Sequence, residues 1–284
     1  MDDSLLYALK HNVFLHIALL SGLFASIASG LMGSYVMIKR IPSITGSIAH
    51  SVLGGIGIFL FLQYQYNLAL FDPLYGAFIA SLIAAFLVYR THLKHKQNEG
   101  AIIATIWSMG MSLGIIFTSF VKGYKADIAS YLFGNILLAA SHHIYFLIAL
   151  DAIIILCTFL FYKKFLMICL DEEQARISGI NVEKYYFILI GLISLSIVLL
   201  IHVMGVILVV TLISIPPTIA SLFTAKLVKM MGISMLLNFI FITLGILISY
   251  ELDWAPGPTA SLLTAISYLL VLSIKAIPQK KCMQ

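Results

Sequence analysis

Residues 41–55 read Ile-Pro-Ser-Ile-Thr-Gly-Ser-Ile-Ala-His-Ser-Val-Leu-Gly-Gly, a single imidazole set in a run of small and hydroxyl-bearing residues. The run lies between the basic pair Lys39-Arg40 and the apolar stretch Ile56 to Leu62, so it opens a membrane-crossing helix. At about 100° per residue, Ser43, Ser47, His50 and Gly54 fall within about 60° of one another. An ionisable group at membrane depth is costly in lipid, so His50 is expected to face a packed interior or an aqueous path. Imidazole binds several transition metals. His50 is therefore the candidate for lining the path of a transported ion.

Three other stretches could carry chemistry. Asp171-Glu172-Glu173-Gln174-Ala175-Arg176-Ile177-Ser178-Gly179-Ile180 concentrates charge in an apolar chain. Acidic residues at its start, Arg176 later and Gly179 as a stop suit a short helix, either solvated or docking a partner. Ile215-Pro216-Pro217-Thr218 should break a span, because two prolines remove backbone donors. Such a segment is either a kink or a moving, path-lining helix. Tyr250-Glu251-Leu252-Asp253-Trp254-Ala255-Pro256-Gly257-Pro258 reads best as a capped turn with an interfacial aromatic. The remaining histidines (His11, His16, His92, His95, His142, His143, His202) and Asp151 are expected to be packed or interfacial polar groups. No GxxxxGK[ST] loop or HExxH is present, so neither nucleotide binding by a phosphate loop nor that zinc-protease set is supported.

The elements that must position these residues are membrane helices. The chain has 284 residues, 61% hydrophobic and only 10% charged, with a mean hydropathy of +1.05. Soluble domains carry about 25% charged residues. The expected fold is all-α and polytopic, with about nine transmembrane helices (eight to ten), as one transmembrane domain over residues 1–284. Spans are expected at about 13–38, 43–62, 74–90, 101–121, 144–162, 185–203, 205–223, 231–250 and 259–277. The apolar stretch 128–141 is too short to cross and is expected to be re-entrant or interfacial.

With the N-terminus outside and the C-terminus inside, inner segments hold fourteen of the seventeen lysines and arginines. Only Lys10, Lys122 and Lys125 lie outside, a strong positive-inside bias. The net charge of +5 thus reports topology rather than nucleic-acid binding. Asp2 and Asp3 stand where a signal peptide would be basic, so the first span is expected to be retained. Cys157, Cys169 and Cys282 form no CxxC and indicate neither disulfides nor a thiolate metal cluster.

Five segments, in order and across nearly the whole chain, resemble the ABC-3 family, the membrane permease subunits of bacterial ABC importers for zinc, manganese or iron. They are Gly46-Ser47-Ile48-Ala49-His50-Ser51, similar to that family's GDALAHS; Asp127 to Leu137 with its Tyr-Leu-Phe-Gly core; Asp171 to Ile180; Ile215 to Ala220; and Gly257-Pro258-Thr259.

The resemblance implies a permease of the bacterial cell membrane, as a homodimer or as a heterodimer with a paralogue. Its partners would be a cytoplasmic ABC ATPase subunit and an extracytoplasmic metal-binding protein. It implies no permanently bound cofactor, only a transported divalent zinc, manganese or iron ion, and no enzymatic activity in this chain. His50 would be the metal residue. Ser43, Gly46, Ser47, Gly54, Pro216 and Pro217 would line the path, and Asp171, Glu172, Glu173, Arg176 and Gly179 would form the ATPase-coupling helix. Gly46 departs from the family pattern, which often has aspartate there. Asp and His at i, i+4 share a helix face and could share an ion. The alternatives are a siderophore or corrinoid ABC permease and a stand-alone secondary metal transporter. The sequence leaves open the metal, the dimer type, and the roles of Asp151, His202, Glu251 and Asp253.

Overall fold

The computed structural model describes residues 11–67, 71–94, 99–121, 132–134 and 141–280. Among the described residues, helices follow in order: α1 Val13–Lys39, α2 Pro42–Tyr66, α3 Pro73–Lys94, α4 Glu99–Ser119, α5 Ser141–Leu170, α6 Glu172–Ile177, α7 Val182–Met204, α8 Val206–Ser221, α9 Leu227–Leu252 and α10 Pro256–Lys280. No strand occurs among the described residues. Eight of these helices are long and apolar enough to cross a membrane, and α8 is a shorter apolar helix of 16 residues. The all-α, polytopic expectation holds. The stretch 128–141 lies outside the described residues except at 132–134 and 141.

Helix ends follow local chemistry. Asn12 caps α1 by accepting from the amides of Phe14 and Leu15. At the other end Arg40 takes a left-handed conformation (φ 61°), and the Ile41 amide reaches back to the Val36 carbonyl at 3.1 Å. Pro42 then starts α2 where its missing N–H costs nothing. The chain therefore turns within two residues, and the His50 helix starts at the end of α1. α5 runs eight residues past its expected end at 162. The Lys164 ammonium escapes the apolar phase by donating to the Tyr185 hydroxyl (2.5 Å) and lying 4.5 Å from the centre of that ring.

α1 is the hub, packed on α5, α8 and α9, while α2 packs on α3 and α4. Water does not drive helices together inside a bilayer, so small residues that permit close approach matter most. A Cβ on Gly30 of α1 would lie 2.8 Å from the Met235 amide nitrogen of α9, and one on Gly54 of α2 2.7 Å from the Gly110 carbonyl of α4. Both crossings are backbone against backbone.

The proline pair does not break its helix. α8 continues through Pro216 and Pro217 to Ser221. The two carbonyls deprived of donors are those of Leu212 and Ile213, four residues earlier. Both find neighbours in the packed interior. With both ends of its amide satisfied, Asn238 of α9 donates to the Leu212 carbonyl (3.3 Å) and accepts from the Ser29 hydroxyl (2.8 Å) and the Gly30 amide (3.3 Å). The Ile213 carbonyl lies against Gly33 of α1, where a Cβ would approach it to 2.4 Å. A tertiary hydrogen bond to Leu212 and close packing over Ile213 thus stand in for the lost ladder bonds, and the helix stays whole.

Candidate functional site: the His50 stripe and the two ends of the bundle

His50 sits two and a half turns into α2 and is partly buried. Its ring stacks on the indole of Trp107 from α4, with centroids 4.4 Å apart and planes 16° from parallel. Nδ1 is sealed from solvent without a hydrogen-bond partner. Beside it Ser47 is fully buried, and its hydroxyl also has no partner. Ser43 is exposed at the start of the helix. Gly54 and Ser51 form the close crossing with Gly110 and line an apolar cavity of about 300 Å³ between α2, α3 and α4. Pro216 and Pro217 are buried, the latter ring facing Gly33 of α1. Among the described residues, no three His, Cys, Asp or Glu side chains gather into a metal cluster.

An acid at position 46 requires the Trp107 indole to shift. A Cβ there would lie 2.8 Å from the Trp107 ring. Trp107 carried no signal in the sequence, because its contact with His50 joins residues more than fifty positions apart.

The charged segment forms the short helix α6, capped by Asp171, which accepts from the amides of Glu173 and Gln174 at 2.9 and 3.1 Å. Gly179 takes φ +79° just past its end. The acidic pair is split in function. Glu172 turns inward, where Lys39 from the end of α1 donates to its carboxylate and His92 Nε2 from α3 lies at 2.6 Å. Lys39 also donates to the Ile168 carbonyl at 3.0 Å, and the His92 ring packs 4.5 Å from the buried Tyr186 ring of α7. Burial pushes the Glu172 carboxyl up, but hydrogen bonds and charge from His92 and Lys39 outweigh this and hold it well below the usual range. Glu173, Gln174, Arg176 and Ile177 face outward, with Ile177 87% exposed.

His92 therefore belongs to the end of α3 and to an interior ion cluster. The charge pattern named α6 but missed Ile177, the apolar tip of its exposed face.

At the opposite end of α7, three glycines meet. Gly205 (φ +82°) separates α7 from α8, and Gly134 (φ +67°) lies against it. A Cβ on Gly134 would fall 2.0 Å from the Met204 carbonyl, and one on Gly257 would fall 2.1 Å from the Phe133 carbonyl. The Leu132–Gly134 turn and the Gly257 segment, far apart in sequence, thus share one junction.

Asp151 is buried in α5, its carboxylate against the Ala28 backbone of α1. Glu251 and Asp253 are exposed in a turn where Asp253 is left-handed (φ 53°) and the Trp254 amide donates to the Ser249 carbonyl at 3.1 Å. This is the capped turn expected there. His202 borders a cavity of about 120 Å³ with Asp72.

Comparison with known proteins agrees with this architecture. The ABC 3 transport family profile matches residues 11–275. A Chlamydia pneumoniae protein described as a probable metal transport system membrane protein is 41% identical, over 90% of this chain and 87% of its own. The zinc uptake membrane protein ZnuB of Buchnera aphidicola is 31% identical over 88% and 94%, and the manganese transport membrane protein MntC of Listeria monocytogenes 29% over 93% and 92%. The structure of PsaBC from Streptococcus pneumoniae superposes with a TM-score of 0.82 at 26% identity, covering 95% of each chain. The chain belongs to the ABC 3 transport family and is a multi-pass permease of the cell membrane.

Proposed function

We propose that this chain is the membrane subunit of an importer that moves a divalent transition metal (zinc, manganese or iron) into the cell, driven by ATP hydrolysed on a separate cytoplasmic subunit. Two membrane subunits, either two copies or this chain with a paralogue, enclose the path, and an extracytoplasmic binding protein delivers the ion. The N-terminus is outside and α6 faces the cytoplasm, where its outward face meets the ATPase.

The observation that carries this reading is the partly buried His50, set at membrane depth in a stripe with the unpartnered Ser47 hydroxyl. Relatives named for manganese and zinc support the class of cargo. The projecting Ile177, on a helix braced from behind by Lys39 and His92, supports a docking role for α6.

The test is uptake of radioactive zinc, manganese and ferrous iron by proteoliposomes holding the chain and its ATPase, with ATP supplied on the α6 side. His50→Ala should lower uptake by about tenfold or more while the ATPase still copurifies. Transport by the chain alone without ATP, or unchanged uptake in His50→Ala, would overturn the reading. Competition by free metal but not by chelates separates it from a siderophore or corrinoid permease.

A further inference from the structure

Trp107 and Gly46 act as a pair on His50. This inference rests on the reading of His50 as a path-lining metal residue and goes further, to what fixes its orientation and its selectivity. A second ligand sharing an ion with His50 from the same helix would stand four residues before it, at position 46. That volume is occupied by the indole: a Cβ on Gly46 would lie 2.8 Å from Cζ3 and 3.3 Å from Cη2 of Trp107. The same indole lies flat on the imidazole, 4.4 Å away and 16° from parallel, which fixes the ring plane.

Of the two ring nitrogens, Nδ1 is sealed and has no partner. Nε2 makes no hydrogen bond among the described residues and is the ring nitrogen left to meet a ligand. The buried, unpartnered Ser47 hydroxyl adds a neutral oxygen on the same stripe.

We propose that Trp107 is a positioning and selectivity residue, which holds the His50 imidazole with Nε2 toward the path and, by filling the space over Gly46, keeps the site free of an anionic ligand. A neutral nitrogen ligand without a carboxylate suits zinc and ferrous iron, whereas manganese is better served by carboxylate oxygen. The chain should therefore rank zinc or iron above manganese.

The experiment uses the assembled transporter in proteoliposomes and reads the ratio of zinc to manganese uptake under ATP. Trp107→Phe, which keeps an aromatic face, should retain most zinc uptake, and Trp107→Leu should raise the KM for zinc by about tenfold, the scale of a lost supporting contact at a metal ligand. Gly46→Asp with Trp107→Ala should move the ratio toward manganese by about tenfold or more. Gly46→Asp alone should displace the indole. The chain has two tryptophans, Trp107 and Trp254, so in a Trp254→Phe background this appears as a red shift of emission.

An unchanged ratio in the double variant, with uptake still dependent on His50, overturns the inference and leaves the importer reading intact. Should the double variant not assemble, equal zinc KM values in Trp107→Leu and the parent overturn it instead. Normal uptake in His50→Ala is the separate result that removes the underlying reading.

Discussion

Replacing Glu172 by glutamine tests the clamp behind α6. One carboxylate, on a side chain only 16% exposed, ties α6 to Lys39 at the end of α1 and to His92 of α3. Glutamine keeps the shape and one acceptor oxygen but loses the charge, which leaves the Lys39 ammonium, itself 10% exposed, with only neutral acceptors, that amide oxygen and the Ile168 carbonyl, in the cluster. Each hydrogen bond to a charged partner contributes about 1.5–3 kcal/mol. Relief of carboxylate desolvation offsets part of this, so the net loss is about 2–4 kcal/mol. In apparent melting temperature that is a fall on the order of 5–10 °C.

The assay is thermal unfolding of the detergent-solubilised transporter for Glu172→Gln, Lys39→Met and the double variant. The cycle should show a coupling of about 1 kcal/mol or more. The pH dependence follows from the sign of the shift. The folded-state value lies below the ordinary 4.5, so the contribution is complete above about pH 4.5 and is lost as pH falls through the folded value. Glu172→Gln should flatten the acid side of the melting profile. Additive single effects, or an unchanged acid profile, would refute the clamp.

Gly205→Ala should abolish assembly, since alanine is strained at φ +82° and its Cβ would lie 2.3 Å from the Gly134 amide nitrogen. Recovery of monodisperse protein by size exclusion would contradict this. Asn238→Leu should cost about 1–3 kcal/mol, because the Leu212 carbonyl loses its side-chain donor; an unchanged melting temperature would show that carbonyl to be satisfied otherwise. Ile177→Asp should leave thermal stability within about 0.5 kcal/mol, as expected for an exposed site, yet reduce copurification of the ATPase. Undiminished copurification would remove Ile177 from the docking face.

Hydropathy placed a span on each of the eight helices long and apolar enough to cross a membrane, because twenty apolar residues in a row are a local property, and it added a ninth where the 16-residue α8 lies. It failed where a side chain reached out of its own segment. Lys163 and Lys164 ended α5 too early on paper, since charge reads as an interface until Tyr185 supplies a partner from another helix. The prolines misled for a similar reason: their cost is local, while the compensation from Asn238 and Gly33 is tertiary. Gly46 was legible as a departure from the family pattern, but the Trp107 indole lying over it was not. Likewise Glu172 and Glu173 are indistinguishable in sequence, and only the fold directs one inward and the other out.

The meeting of Gly134, Gly205 and Gly257 has a mechanical consequence. A seam made of main chain contains no rotamers that could yield under load. A displacement of α7 at Met204 is therefore handed to the Phe133 turn and to the head of α10 without slack, and all three must travel as one block or part company altogether.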